Sequence, residues 1–369
     1  MANNFTSTST TIVDISNRSV GLGGANVGTY SVLHGLNPLG GLANIPQNTD
    51  THGLVFFTKP MLNLSRDNVM NSRKMTFLAD TDPLSMGNYI RCLLNPKGFD
   101  PEGDKLRSTV NDDNNIFLPI SNLLINLSPP PDYVADTYTS DEGINKEQVS
   151  FIDSKPNVFS SYDMTGTFAN MEGDPISAIF TTWVEYMTRV AEGSMLPFPI
   201  HILQRRLDYN TRIYRLILDK SKRFVQKIFA CGAAFPYTSP EGAVMGYDVK
   251  EHLSKEADEI QIVFKCNGAI YNDPILVYEF NLSVVKYNPD IAPGKRVNHT
   301  KVIGTAPNGK DMRLLMAYNV YPYIADSMEL EWYAPNDIYK NTLALFNDVV
   351  VPNTNATPIT PTANTTTPT

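Results

Sequence analysis

Apolar residues recur at spacings of three and four from Ile176 through Ile179, Phe180, Trp183, Tyr186, Met187 and Val190. That is the stripe of a helix with one buried face. Asp174 precedes it as an N-cap, its carboxylate expected to accept from the free N–H groups of the first turn. Pro175 takes the first helical position, where a missing N–H costs nothing. Gly193 offers a left-handed end, and Pro197 stops the helix from resuming. A helix over 174–193 is therefore predicted, and it is the only segment whose start, stripe and stop all agree.

Elsewhere the pattern shortens to that of strands. Ile213–Leu218 and Phe224–Ala230 flank a charged five-residue loop and predict a hairpin. Phe235-Pro236-Tyr237 then reads as a bend. Glu259–Cys266 alternates as a half-buried strand, Asn267-Gly268 as the turn after it, and Ile275–Tyr287 as a strand long enough to cross a sheet. Asn272-Asp273-Pro274 is read as a plain turn before it. Gly53–Phe57, Ile116–Leu118, Phe151–Phe168, Arg313–Tyr318 and Met328–Tyr333 supply further strand signals. Asp82-Pro83 opens a second helix toward Leu94, which Gly87 and Asn95-Pro96 keep short, and Asn336-Asp337 caps a short one through Leu345. The fold class expected is mainly β (α+β): sandwich or barrel-like sheets flanked by the 174–193 helix.

The ends lack periodicity. Residues 1–50, rich in Asn, Thr, Ser and Gly, read as an extended arm that orders against a neighbouring subunit. Gly21–Gly28 lacks both the Lys-Ser/Thr ending of a P-loop and the register of a dinucleotide turn. Residues 51–150 read as a strand- and loop-rich insertion or subdomain, in which Pro129-Pro130-Pro131 is a stiff break before an acidic loop. Residues 151–350 read as the main β domain, and the uncharged Thr/Pro/Asn tail 351–369 as disordered.

Charged residues are only 18% of the 369, and the formal net charge is −8. Gripping nucleic acid needs clustered Lys and Arg, and the one basic run, Lys220, Lys222 and Arg223, sits at the hairpin tip. Cys92, Cys231 and Cys266 are odd in number with no zinc spacing, so they are expected as buried free thiols assembled in a reducing compartment. No basic-then-apolar leader opens the chain, and no run of about 18 apolar residues spans a membrane. Asn63, Asn126, Asn281 and Asn298 begin Asn-x-Ser/Thr triplets, read as composition and not as glycan sites.

Candidate chemistry is sparse. His34, His52, His201, His252 and His299 lie in separate segments without a ligand partner at helical spacing, so no metal site is expected. Asp112-Asp113, Asp141-Glu142 and Asp258-Glu259 are adjacent in sequence, which does not oppose two carboxylates across a cleft, and they read as solvated loops. Tyr318, Tyr321, Tyr323, Trp332 and Tyr333 suit a core or an interface better than a sugar site. No catalytic residue, cofactor or metal ligand is assigned, and the chain is expected not to be an enzyme.

Asp174–Tyr186, Tyr214-Arg215-Leu216, Ile228–Pro236 and Phe264–Pro274 together resemble virion structural proteins of large contractile-tailed bacteriophages, and within them the tail-tube group. The resemblance spans roughly 150–290. It implies a two-sheet β fold with a helix carrying a Trp-x-x-Tyr pair, stacked as hexameric rings that line a channel. It further implies homo-oligomers, contacts to sheath or baseplate proteins, DNA passing without specific binding, and residence in the virion tail after assembly in the host cytoplasm. Exposed sheet edges would then be capped by pairing between subunits. Baseplate, tube-initiator, neck and head-decoration roles stay open, as does a carbohydrate-binding tail protein.

Overall fold

The computed structural model describes residues 52–96, 103–153, 160–219, 222–245, 259–302 and 320–341. The predicted arm, the Gly21–Gly28 run, His34, His252, the Arg313–Tyr318 strand and the tail lie outside these residues. The chain divides into two compact units, Met1–Pro289 with Pro322–Glu331, and Asp290–Tyr321 with Trp332–Thr369.

The larger unit is built on a six-stranded antiparallel sheet. Its strands are β1 (His52–Phe57), β2 (Leu124–Leu127), β5 (Ser161–Ala169), β6 (Ile213–Leu218), β7 (Val225–Pro236) and β8 (Glu259–Tyr271), in the order β1-β6-β7-β8-β5-β2. A two-stranded ribbon, β3 (Thr137–Thr139) with β4 (Ser150–Ile152), stands apart from it. Strands from both sides of residue 150 thus share one sheet.

The two edges of that sheet are joined by one stretch of chain. Leu118 N–H donates to the Phe57 carbonyl (2.8 Å), and Lys59 N–H to that of Ile116 (2.7 Å). A few residues on, β2 pairs with β5 and Ser128 N–H donates to Thr165 O (2.8 Å). Residues 116–128 therefore bond to the end of one edge strand, β1, and supply the other, β2, so that the sheet is nearly closed into a barrel. The chain itself thus meets the Phe57–Lys59 end of the β1 edge.

Adjacent residues of a strand face opposite ways, and β1 shows what each side holds. Phe57 turns to helix α2 (Pro175–Glu192), in a cluster with Phe264 (5.4 Å between ring centroids) and Phe168 (5.8 Å). Phe180 of α2 meets both of those rings, at 5.3 and 5.8 Å, and stacks on Trp183. Phe56 turns the other way, to Phe280 of helix α3 (Pro274–Tyr287), with Phe117 and Tyr214 around it.

Helix α3 corrects the strand expected at Ile275–Tyr287. Asp273 accepts from Ile275 N–H (3.0 Å) and Pro274 fills the first turn, so the Asp-Pro pair is a helix start and not a plain turn. Leu276, Val277, Phe280 and Val284 are buried at helical spacing. Ile275, Tyr278 and Leu282 are apolar on the exposed side, and that hid the period.

Three smaller corrections follow. β8 runs through Asn267-Gly268 to Tyr271, with Gly268 at φ +73 inside the strand. β7 likewise continues through the expected bend to Pro236. The second helix, α1 (Met86–Leu94), starts at Ser85, whose hydroxyl accepts from Asn88 N–H (3.2 Å), and not at Asp82. Gly87 does not weaken α1 so much as permit it: a Cβ there would lie 2.3 Å from the Phe77 carbonyl oxygen.

A polar clasp holds the turn that leads into the closing segment. Lys59 Nζ donates to the Asp112 carbonyl (2.8 Å) and the Asn111 side-chain oxygen (3.4 Å). Arg107 pairs with Asp113 and donates to the Asn95 carbonyl (3.1 Å). Asp113 is therefore a buried partner, where a solvated loop was expected. Burial pulls the Lys59 ammonium down to about 8, against the raising effect of Asp112 and Asp113.

In the smaller unit, strand His299–Lys301 pairs antiparallel with Tyr333–Pro335. Arg296 lies over the Tyr333 ring at 4.2 Å and donates to its hydroxyl (2.7 Å).

Candidate assembly surfaces

Several of the residues singled out for chemistry lie in the interior. All three cysteines are free and buried. His201, Tyr321 and Tyr333 are buried as well. Among the described residues no group of three or more His, Cys, Asp or Glu is placed to hold a metal ion, and no helix is long and apolar enough to cross a membrane. Two exposed apolar surfaces stand out among the described residues.

The first follows α2. Gly193 ends the helix at φ +76, and the chain turns into Ser194–Leu207 with its short helix Pro199–Gln204. The backbone here is held from below. Asn68 accepts from Leu196 N–H (3.2 Å) and donates to Leu196 O (3.0 Å), while Asn63 donates to the same carbonyl (2.8 Å). Met195 and Phe198 point inward, whereas Leu196, Ile202, Leu203 and Leu207 point out, Leu203 with 83% of its surface exposed. Arg205 and Arg206 are exposed among them, and no carboxylate occurs from Ser194 to Leu207.

Helix α2 pins the far end of this segment. Trp183 Nε1 donates to Tyr209 O (2.9 Å), and the Tyr186 hydroxyl donates to the Asp208 carboxylate. Burial pushes the Asp208 carboxyl up despite that bond, and burial followed by the Asp208 charge raises the Tyr186 hydroxyl. The Trp-x-x-Tyr pair therefore fixes a surface loop as well as filling the core. The helix's own cap differs from expectation: Asp174 sits at φ +51 and makes no side-chain cap bond, its carboxylate accepting instead from Asn170 (2.5 Å).

The second surface is the ribbon, whose β3 lies in the expected acidic loop and whose β4 falls at the start of the strand expected from Phe151. β3 and β4 pair Tyr138 opposite Phe151, their rings 5.1 Å apart. Ser140 N–H donates to Val149 O (2.9 Å), and Asp153 N–H to Asp136 O (3.0 Å). Its root is tied down where the Tyr271 hydroxyl donates to Pro131 O. Every residue of both strands is exposed, and so are Ile144 and Val149 between them. Residues 132–153 carry six carboxylates against the single Lys146. A two-stranded ribbon is marginal in water by itself, and clustered exposed apolar residues mark contact sites. Sequence periodicity missed it because three-residue strands leave almost no alternation to read.

The chain belongs to the family described as "Putative phage tail tube protein", which matches residues 1–348. It is thus a tail-tube-like protein of a phage, a component of the virion tail, in a structural family. No curated protein matches its sequence. Solved structures with some likeness include the tube-terminating cap of the anti-feeding prophage, at 14% identity and TM-score 0.26, covering 42% of this chain and 82% of that one. The sheath/tube terminator of an extracellular contractile injection system, PVC, follows at 13% and 0.25, covering 42% and 87%. The sheath-tube complex of the same system gives 12% and 0.25, covering 42% and 82%.

Proposed function

We propose that this protein is a non-enzymatic structural subunit that forms or extends the inner tail tube through which DNA passes. The exposed ribbon carries the reading. Both strands of the ribbon are exposed throughout, so the apolar surface of β3–β4 is available to another subunit. Copies join as a closed ring, taken to be a hexamer, and further rings or sheath and baseplate proteins stack on it. The low charge and acidic balance suit a passage that DNA slides through, since phosphate neutralisation by Lys and Arg would hold it. Assembly takes place in the host cytoplasm, where Cys92, Cys231 and Cys266 stay reduced.

Negative-stain microscopy of the purified full chain tests this. Rings or tubes with a central channel are the expected result. Isolated monomers at every concentration, including those at which the protein is abundant during infection, would overturn it.

A further inference from the structure

We infer that the β3–β4 ribbon of one copy docks on the Ser194–Leu207 surface of the next, and that this contact joins subunits. The inference deepens the tube reading and rests on it. Two observations select a second copy of this chain as the occupant. The surfaces match in kind: each is a set of large apolar side chains left exposed by a scaffold that is otherwise well packed, Tyr138, Ile144, Phe151 and Ile152 on one and Leu196, Ile202, Leu203 and Leu207 on the other. They also match in sign. Residues 132–153, the ribbon and its root, carry six carboxylates and one lysine, whereas the Ser194–Leu207 segment has Arg205 and Arg206 and no acid. Neither arginine forms an ion pair among the described residues. Each is therefore free to meet a carboxylate from outside.

The two surfaces differ, so the contact runs head to tail. A contact of that type closes into a ring or continues as a filament, and does not stop at a two-fold dimer. Complementary charge steers the encounter and sets the register, and the apolar residues supply the burial that holds it. The Ser194–Leu207 surface is preorganised for this role by the Asn63 and Asn68 bonds to the Leu196 backbone. Little ordering is left to be done on binding.

Charge exchange and cross-linking test the pairing in the full-length chain. Arg205→Glu with Arg206→Glu should raise the concentration needed for assembly about tenfold or more, and Glu142→Arg with Glu147→Arg should do the same. All four changes in one chain should restore assembly. Separately, a chain with Ile144→Cys mixed with a chain carrying Leu203→Cys should give a disulfide-linked heterodimer under mild oxidation. The three native thiols are buried and serve as the silent background. Circular dichroism checks that each variant folds. Wild-type rings together with reversal variants that assemble equally well, or with no cross-link between the mixed chains, would overturn this pairing and leave the tube reading standing. A wild-type chain that never assembles defeats both.

Discussion

The barrel side and the ribbon side of the larger unit answer to different selections. Around Phe57, Phe168, Phe180, Trp183 and Phe264 every side chain is buried, each phenylalanine ring meets two or more others, and Trp183 stacks on Phe180. In the ribbon the aromatic pair Tyr138–Phe151 meets no third ring among the described residues, and both of its strands are exposed throughout. The first region is complete within one chain. The second, though rooted through Tyr271 and Pro131, is left exposed, and on our proposal another subunit covers it. Changes in the barrel should therefore damage folding and assembly together, while changes in the ribbon should damage assembly alone.

Trp183→Ala should have the largest effect. It removes a fully buried indole and its bond to Tyr209 O, costing about 3–5 kcal/mol. Denaturant unfolding measures the loss, and assembly should fail with it. A stable, ring-forming Trp183→Ala variant would mean that α2 is not the keystone of the barrel.

The clasp gives a pH signature. Lys59 has a folded pKa of about 8 against 10.5 when unfolded. Between those values the unfolded chain holds a proton that the folded chain has released, so this group's contribution to stability rises with pH across about 8 to 10.5. Measured against Lys59→Met over that range, the wild type should gain about 3 kcal/mol at most. A parallel pH dependence in the two proteins would show that the ammonium is not buried. Asp208 acts in the opposite sense. Its raised folded pKa means stability falls as pH rises from about 3.8 to the folded value, and Asp208→Asn should flatten that stretch.

Gly87→Ala should cost about 1–3 kcal/mol, because the new methyl must displace the Phe77 carbonyl and not a flexible side-chain tip. A Tm equal to wild type would place α1 further from the Phe77 turn. Smallest of all on stability is the ribbon: Tyr138→Ser should change unfolding by no more than about 0.5 kcal/mol and still weaken assembly.

How much of this was legible in sequence follows the same division. Helix α2 declared itself because one apolar stripe faces the core and Asp-Pro and Gly stand at its ends. Helix α3 has the same Asp-Pro start, but Ile275, Tyr278 and Leu282 lie on its outer side, and a segment rich in Val, Leu and Tyr with apolar residues on both sides has no readable period. The Asn267-Gly268 pair in β8 carried a turn signal that pairing with β5 and β7 overrides. The closing of the barrel through residues 116–128 joins strands far apart in the chain, and local pattern holds no information about it. Asp112-Asp113 looked solvated for the same reason, since Lys59 and Arg107 reach them only in the fold. The ribbon was hidden by its brevity, yet its composition, acidic with isolated large apolar residues, was visible from the start.

The central claim is that the ribbon is finished by another subunit. Replacing Tyr138, Phe151 and Ile152 together with Ser, and following the purified chain by sedimentation velocity beside its thermal unfolding, tests this most directly. The account predicts an unfolding transition like that of the wild type and a species that sediments as a monomer where the wild type forms rings. A variant that sediments as rings would contradict it.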